Sequence, residues 1–279
     1  MNYILGVDIG TTNTKAVAYT LEGRVISHAS TSYTFSAKEE GRHEIDPGVL
    51  FEAVIEVIKT ATKNAVGHTL TGVSFSSAMH GIMVVDAAGK PLTNMITWAD
   101  LRSNEYAVKL KNTAQGKKIY ERTGTPVHPM SPLCKLMWMK DHLSSVFTNA
   151  YKFISIKEYV FYHFFGEYLI DHSIASATGL FDIYDLNWNK LALQEAGINE
   201  EKLSKPVPAT YIIKGLKKEY ASILGIGAQT PFIIGASDGC LAHIGSNALQ
   251  HNDVSLTIGT SGAVRIMTAK PVHDPKQRI

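Results

Sequence analysis

Residues 4–15 read ILGVDIGTTNTK, and this stretch decides the fold. The apolar run from Ile4 to Val7 leads into Asp8, and Gly10–Thr12 has the composition of a tight bend. An alternating apolar pattern resumes over Lys15–Tyr19. The pattern predicts a buried strand, a turn and a second strand, which together form a β-hairpin.

The tip of this hairpin has the chemistry of a phosphate and metal site. A glycine lets the backbone approach a phosphate closely, turn N–H groups bind anions, and a carboxylate can hold Mg²⁺. An ordinary hairpin with polar turn residues is the alternative, and the chain has no G-x-x-x-x-G-K-[ST] loop. The candidate residues are Asp8, Gly10, Thr11, Thr12, Asn13 and Lys15.

Composition bounds the class of protein. The 279 residues carry a net charge of +2, which favours neither nucleic acid nor a membrane surface as partner, and they suffice for one large domain or two smaller ones. No apolar run is long enough to span a bilayer. Cys134 and Cys240 are far apart and outside any metal-ligand pattern, which is typical of a reduced, cytoplasmic protein.

The next segments predict a third strand over 25–33 and a helix over 49–65. Asp46 has the chemistry of an N-cap, with Pro47 at the first helical position. Two more strands are expected over 71–76 and 82–86. Met79 and His80 lie between these two strands, where open α/β sheets bind ligands, although a lone histidine is more often part of a core or turn.

The segment Ile96–Ser103 places Trp98, Asp100 and Arg102 within five residues. On a strand-like piece the carboxylate and the guanidinium point the same way and could grip a polyol. A surface ion pair of little energetic value is the alternative.

The middle of the chain predicts several helices over 103–166. Ser131-Pro132 starts a helix over 133–140, and residues 156–165 form an apolar core helix. Residues 171–176 are expected to be a polar loop before a short helix, and residues 195–205 an exposed helix.

The stretch Pro231–Gly245 reads PFIIGASDGCLAHIG. A buried strand meets a small-residue turn, and Asp238 opens a helix. Asp238 is then either a plain N-cap or a base that accepts the proton of a substrate hydroxyl. The chain next repeats its opening, with a strand over 253–258, a tip of Gly259, Thr260, Ser261 and Gly262, and a return strand over 263–267.

The order D-x-G-T-T-x-x-K, G-A-S-D-G, T-x-G-T-S-G resembles the FGGY carbohydrate kinases of the actin-like ATPase superfamily. The resemblance implies an α/β, ribonuclease-H-like (actin/hexokinase-superfamily) mixed β-sheet flanked by helices, with ATP and Mg²⁺ as cofactors. It implies that Asp8 is the Mg²⁺-associated carboxylate and Asp238 the catalytic base. It further implies two phosphate loops, formed by Gly10, Thr11, Thr12 and Asn13 and by Gly259, Thr260 and Gly262.

Within the family, three segments are most similar to gluconokinases, namely A-M-H-G at 78–81, W-A-D-L-R-S at 98–103 and T-G-T-P-V-H-P-M-S-P at 123–132. The resemblance implies a polyol site formed by Met79, His80, Trp98, Asp100, Arg102, His128 and Asp238, with D-gluconate as substrate. Arg102 or Lys135 would supply a cation for the acid's carboxylate. A xylulokinase, which shares part of this pattern, and a non-catalytic sugar-binding protein are the alternatives.

Family members are longer than this chain. The resemblance implies a polyol-binding domain over residues 1–246 and the start of a nucleotide-binding domain over 247–279. We therefore expect a C-terminally truncated chain that binds ATP poorly and has little kinase activity alone. The sequence leaves the oligomeric state open, and a homodimer is one of the states it allows.

Overall fold

The computed structural model describes residues 1–34, 40–250, 253–258 and 262–277. The strands are β1 (Asn2–Ile9), β2 (Asn13–Thr20), β3 (Val25–Ser32), β4 (Glu44–Ile45), β5 (Thr69–Ser77), β6 (Met83–Val85), β7 (Met95–Ile96), β8 (Lys152–Ile154), β9 (Leu169–Asp171), β10 (Phe181–Asp182), β11 (Asn187–Trp188), β12 (Lys205–Val207), β13 (Ile212–Ile213), β14 (Phe232–Ser237), β15 (Val254–Ile258) and β16 (Gly262–Ile266). The helices are α1 (Pro47–Asn64), α2 (Asn104–Lys111), α3 (Ala114–Thr123), α4 (Pro132–His142), α5 (Ser144–Asn149), α6 (Ile156–Phe165), α7 (His172–Ser176), α8 (Lys190–Ala196), α9 (Lys218–Leu224) and α10 (Asp238–Gly245), with a 3₁₀ turn at Glu200–Lys202.

A six-stranded mixed sheet organises the fold, in the order β13-β14-β5-β1-β2-β3. Strands β1, β5 and β14 run parallel, while β2, β3 and β13 pair antiparallel with their neighbours. The opening hairpin and the third strand are therefore confirmed, and so is the mixed α/β sheet.

Helix α1 covers one face of this sheet. The Asp46 carboxylate accepts a hydrogen bond from Gly48 N at 2.7 Å, and Pro47 follows as expected. The apolar side chains of α1, which recur at helical spacing from Leu50 to Ala61, are buried against the inward residues of β1 and β2. Because side chains alternate along β1, Asp8 points to the opposite face, where Leu241 of α10 lies beside Gly6 and Val17.

A second core lies beside the sheet and is built mainly from helices. It joins α2, α3, α4 and α8 to the short strands, around buried side chains such as Leu133, Phe153 and Phe181. Helix α6 belongs to the sheet core instead, through Phe161 and Phe164, so its predicted role as a core helix is confirmed. Within the described ranges, no helix combines the length and the apolar character needed to cross a membrane.

Two local predictions are wrong. Residues 171–176 are not a loop, because Asp171 caps α7 by accepting hydrogen bonds from Ser173 N and Ile174 N. The expected helix over 195–205 is also absent from this described part of the chain. Gly197 ends α8 with φ +73°, and Glu200–Lys202 forms only a 3₁₀ turn.

The parallel strands bring three chain segments to one edge of the sheet. Asp8 of β1 is in register with Ser76 of β5, and Ser77 is in register with Ser237 of β14. This edge is at the carboxyl ends of the strands, which is where open α/β sheets bind ligands.

Strand β14 reaches that edge through a bulge. Its register with β5 shifts between Ile233 and Ala236, and Gly235 has φ +66°. A Cβ at Gly235 would lie 1.7 Å from the Phe75 carbonyl oxygen. Only glycine fits here, because both the backbone conformation and the close approach exclude a side chain.

The second hairpin is also present. Strands β15 and β16 pair antiparallel, with Thr257 opposite Ala263 and Ser255 opposite Arg265. The predicted tip residues Gly259 and Thr260, like Ser261, lie outside the described residues.

Candidate functional site

The first hairpin presents Asp8 and a tight turn at the edge of the sheet. Ser76 Oγ donates a 2.8 Å hydrogen bond to Asp8 Oδ1, which fixes that carboxylate. Asp8 and Lys15 are opposite each other in the β1–β2 register and line a hollow of about 260 Å³ together with Leu241. The turn closes through a 3.0 Å hydrogen bond from Gly10 N to Asn13 O.

Sequence reasoning missed Tyr33, which holds this turn. Its phenol donates to the Gly10 carbonyl oxygen and lies 3.1 Å from Thr14 Oγ1. Its backbone N donates to Thr12 O at 3.2 Å. Burial raises the pKa of the Tyr33 phenol to about 12, so it stays a donor. The tyrosine is 19 residues after Thr14, and only the strand pairing reveals the contact.

His80 is held in an unusual conformation. Its φ is +64°, in the left-handed region, and its Nδ1 lies 2.7 Å from the Ala177 carbonyl oxygen. A carbonyl only accepts, so Nδ1 carries the proton and Nε2 is left as an acceptor. Burial lowers the pKa of His80 to about 4, which keeps the ring neutral.

Lys135 is buried beneath this segment. Its Nζ donates to the carbonyl oxygens of His80, Thr97 and Met130, at 2.7, 2.7 and 2.9 Å. Burial lowers its pKa to about 7. All three donors of the ammonium group are used, so Lys135 ties three loops together and cannot serve as the cation for a ligand's carboxylate.

Asp100 and Arg102 form an internal network on a turn, so the expected strand-like piece is wrong. Asp100 is 1% exposed and accepts from His43 N at 2.9 Å and from Arg102 Nε at 3.0 Å. Arg102 Nη2 lies 2.6 Å from Glu44 Oε1, and its guanidinium lies 4.4 Å from the centre of the Trp138 ring. Arg102 faces a separate groove of about 770 Å³, which it shares with Glu44 and Trp138.

His128 is exposed in the loop before α4. Its Nδ1 accepts a hydrogen bond from Met130 N at 3.2 Å, and partial desolvation, together with the charges of Lys111 and Lys135, lowers its pKa. The ring is therefore engaged within its own loop.

Asp238 is the first residue of α10, and of its two alternatives the N-cap is wrong. The cap is Ser237, whose side chain accepts from Cys240 N at 3.4 Å. Asp238 Oδ1 accepts from Gly239 N at 2.7 Å. The pKa of the Asp238 carboxyl is raised overall. Burial is the largest cause and the charge of Asp8 adds to it, while the Gly239 N–H, Arg265 and Lys157 act in the opposite direction.

A buried network stands behind Asp238. Lys157 Nζ lies 2.6 Å from Asp171 Oδ2 and donates to Ala236 O at 3.1 Å. Ser173 Oγ donates to Asp171 Oδ1 at 2.6 Å and accepts from Ser237 N at 2.7 Å. These contacts fix the backbone of the two residues that precede Asp238.

A cleft of about 310 Å³ brings the two hairpins and Asp238 together. Sequence reasoning predicted six of its residues but missed Arg265, Thr257 and Ala263, because a strand residue outside a recognisable tip carries no local sign of function. Asp100, Arg102 and His128 are not among the described side chains that line it. The lining residues are Thr11, Met79, His80, Trp98, Asp238, Thr257, Gly262, Ala263 and Arg265.

The described residues hold no cluster of three or more His, Cys, Asp or Glu side chains arranged for a metal. At any one place the described residues could therefore supply only one or two carboxylates to a metal ion. That number suits Mg²⁺, which keeps several waters and is usually bound by one or two carboxylates together with substrate phosphates.

Comparison with known proteins relates this chain to carbohydrate kinases. The family model for the N-terminal domain of the FGGY family of carbohydrate kinases matches residues 3–245. A curated gluconokinase of Bacillus subtilis (strain 168) is 45% identical over 278 residues, which cover 100% of this chain and 54% of that protein. The chain spans about half the length of the curated relatives it matches.

Two solved structures from Lactobacillus acidophilus are similar to this one. A ligand-bound xylulose kinase has a TM-score of 0.96 and a gluconate kinase has a TM-score of 0.95. Each is 38% identical, and each alignment covers 99% of this chain and 56% of the other. Overall likeness therefore does not separate the two substrates.

Proposed function

The chain belongs to the FGGY family of carbohydrate kinases, and we propose that it is the polyol-binding part of an ATP-dependent kinase that phosphorylates D-gluconate to 6-phosphogluconate. One observation carries the proposal: Asp238 opens into the same cleft as Thr11 of the first hairpin and Gly262 of the second. A base and two phosphate-type tips around one cavity suit phosphoryl transfer to a hydroxyl, which depends mostly on positioning and electrostatics.

In this proposal Asp238 is the general base. It accepts the proton of the terminal hydroxyl as the oxygen attacks the γ-phosphorus of ATP. Two features support the role. Burial and the nearby Asp8 raise the pKa of the carboxyl, which makes it a better proton acceptor, and Ser237 leaves it free of the capping task.

The phosphates are proposed to lie against the two hairpin tips. Gly10, Thr11, Thr12, Asn13 and Lys15 would form one side, and Gly259, Thr260 and Gly262 the other. Asp8 would hold Mg²⁺, which neutralises charge on the transferred phosphoryl group. The mutual repulsion of Asp8 and Asp238, which contributes to the raised pKa of Asp238, fits a site that receives a cation.

The polyol is proposed to lie along Met79, His80 and Trp98. The neutral His80 ring offers Nε2 as acceptor for a hydroxyl, and Trp98, 40% exposed, offers an apolar face to the carbon chain. The expected contacts of Asp100, Arg102 and His128 with the polyol stay predictions, and their hydrogen bonds indicate that they also shape the surrounding loops.

We also propose the domain division at residue 246. The family match ends at residue 245, and β15 and β16 pair only with each other among the described strands. Residues 247–279 would then begin the nucleotide-binding domain. On this basis the 279-residue chain alone should release little ADP from ATP with gluconate.

A xylulokinase is the second candidate, favoured by the solved xylulose kinase that this chain resembles as closely as it does the gluconate kinase. ADP release by the full-length protein that contains this chain, measured with D-gluconate, D-xylulose and glycerol, tests both. Highest kcat/KM with gluconate supports the proposal. A preference for xylulose would support a kinase with a different substrate. If the protein releases no ADP with any of the three compounds, a non-catalytic sugar-binding protein is supported instead.

A further inference from the structure

Arg265 is a charged residue in the cleft that the proposed reaction does not yet use. It lies on β16 and lines the cavity with His80, Trp98 and Asp238. We propose that Arg265 binds the carboxylate of a sugar-acid substrate and so selects acids over neutral polyols. The inference rests on the proposed function and adds the class of substrate.

The charge inventory of the cleft supports this role. Of the described residues that line it, Arg265 alone is positively charged at neutral pH, because His80 is neutral there. The two cations expected from the sequence are committed elsewhere. Lys135 donates to three carbonyl oxygens, and Arg102 is paired with Glu44 and Asp100.

The guanidinium is placed by its neighbours but not used up by them. Arg265 Nη1 donates to Thr257 Oγ1 at 3.0 Å, which is its one hydrogen bond to a described residue. A Cβ on Gly239 would lie 2.9 Å from Arg265 Nε and 3.0 Å from Nη2, so the guanidinium rests against the start of α10. A guanidinium has five N–H donors and binds a carboxylate with two of them, so donors remain for a ligand.

Arg265 faces the part of the cleft that is proposed to hold the polyol. Side chains alternate along a strand, and Ala263 and Arg265 are the half-buried residues while Val264 and Ile266 are exposed. Arg265 thereby lines the cleft together with Met79, His80 and Trp98, the residues proposed to bind the polyol. Its guanidinium also bonds Thr257, which is opposite Ala263 near the hairpin tip, so a phosphate is the competing ligand that the measurement of KM for ATP tests.

The experiment compares Arg265→Met with the wild type in the full-length protein that contains this chain. The substrates are D-gluconate, D-galactonate, D-xylulose and glycerol, and KM for ATP is measured beside them. We expect Arg265→Met to lower kcat/KM for the acids about 10- to 100-fold through KM, the size expected for a lost hydrogen bond to a charged group. Neutral substrates and KM for ATP should change by less than about twofold.

Two further variants serve as a conservative replacement and as a control. Arg265→Lys keeps a charge but loses the planar pair of donors, so it should recover only part of the loss. Arg24→Met removes an exposed arginine from the turn before β3 and should leave all kinetic constants unchanged. A rise in KM for ATP, or an equal loss for acids and neutral polyols in Arg265→Met, overturns the inference.

The wild-type panel separates this inference from the proposed function. If another aldonate is a better substrate than gluconate and is lost in Arg265→Met, the inference holds and the proposed substrate falls. If gluconate is preferred but unaffected by Arg265→Met, only the inference falls. If neutral polyols alone, or no substrate, are phosphorylated, both fall.

Discussion

The ammonium group of Lys157 lies 2.6 Å from the carboxylate of Asp171, and both side chains are buried. The pair joins the first turn of α6 to the cap of α7, and Lys157 also reaches the Ala236 carbonyl oxygen on β14. Burial lowers the pKa of Lys157, which records the cost of placing the charge there. The pair therefore fixes the backbone that delivers Asp238 to the cleft, at the expense of desolvating two charges.

Removing one partner should be costly. Lys157→Met leaves Asp171 charged, buried and unpaired, so we expect the free energy of unfolding to fall by about 3–5 kcal/mol. Urea unfolding of the 279-residue chain measures it. The double variant Lys157→Met/Asp171→Asn removes both charges and should lose less than the single variant.

A surface pair provides the matched control for Lys157. Lys109 and Glu105 form an exposed i,i+4 ion pair on α2, and Lys109→Met should cost no more than about 1 kcal/mol. A loss in Lys157→Met as small as that in Lys109→Met would show that the buried pair contributes little net stability.

Two glycines with the same backbone conformation should respond differently to alanine. Gly235 has φ +66° and Gly225 has φ +65°. A Cβ at Gly225 meets nothing within 4 Å, whereas at Gly235 it overlaps the Phe75 carbonyl oxygen. Gly225→Ala should cost about 1–2 kcal/mol from the conformation alone. Gly235→Ala should cost more than about 4 kcal/mol, because backbone must move.

Urea unfolding compares these two variants as well. Equal losses would mean that β14 shifts freely away from β5 and that the bulge is not a fixed feature. In that case the position of Asp238 could not be attributed to it.

The sequence predicts the parts of this fold that depend on local pattern. The hairpin at Asp8, the cap at Asp46 and the core helix α6 follow from spacing and from residue type. The alternative that made Asp238 the cap of α10 is off by one residue, since Ser237 and Asp238 are both good caps and only the backbone decides between them.

Long-range contacts account for what the sequence did not reveal. The partners of Arg102 include Glu44, 58 residues away, so nothing local distinguishes a buried network from a polyol grip. The positions of Tyr33 and Arg265 depend on how the strands pair. The pairing of β2 with β3 brings Tyr33 to the turn at Gly10, and the pairing of β15 with β16 places Arg265 beside Thr257.

The proposed base can be separated from its structural surroundings. Asp238→Asn keeps the shape of the side chain and leaves the Ser237 cap in place, but it removes the proton acceptor. In the full-length protein we expect kcat to fall about 10²–10⁴-fold, the usual contribution of a positioned base. Steady-state ADP release with gluconate measures it.

The neighbouring cap provides the control for Asp238. Ser237→Ala removes the side-chain cap of α10 and should lower the free energy of unfolding by about 0.5–2 kcal/mol while reducing kcat much less than Asp238→Asn. A loss of less than about tenfold in Asp238→Asn would reduce Asp238 to a structural residue of the helix start.

His80 should make stability depend on pH in mildly acidic solution. Its pKa is about 4 in the folded chain and 6.5 without burial, so between these values the unfolded chain binds more protons. The folded state therefore loses stability as pH falls from about 6.5 to 4, while above pH 6.5 the contribution of His80 is fully present and no longer changes with pH. His80→Gln lacks this titration, so the stability difference between wild type and His80→Gln should shrink as pH falls.

Met79→Leu changes the adjacent residue without removing a titratable group, and its difference in stability from wild type should stay constant with pH. Urea unfolding at pH 4.5, 5.5 and 7 measures both differences, and a His80→Gln difference that does not change with pH would mean that the His80 ring is protonated in the folded chain as readily as in the unfolded one.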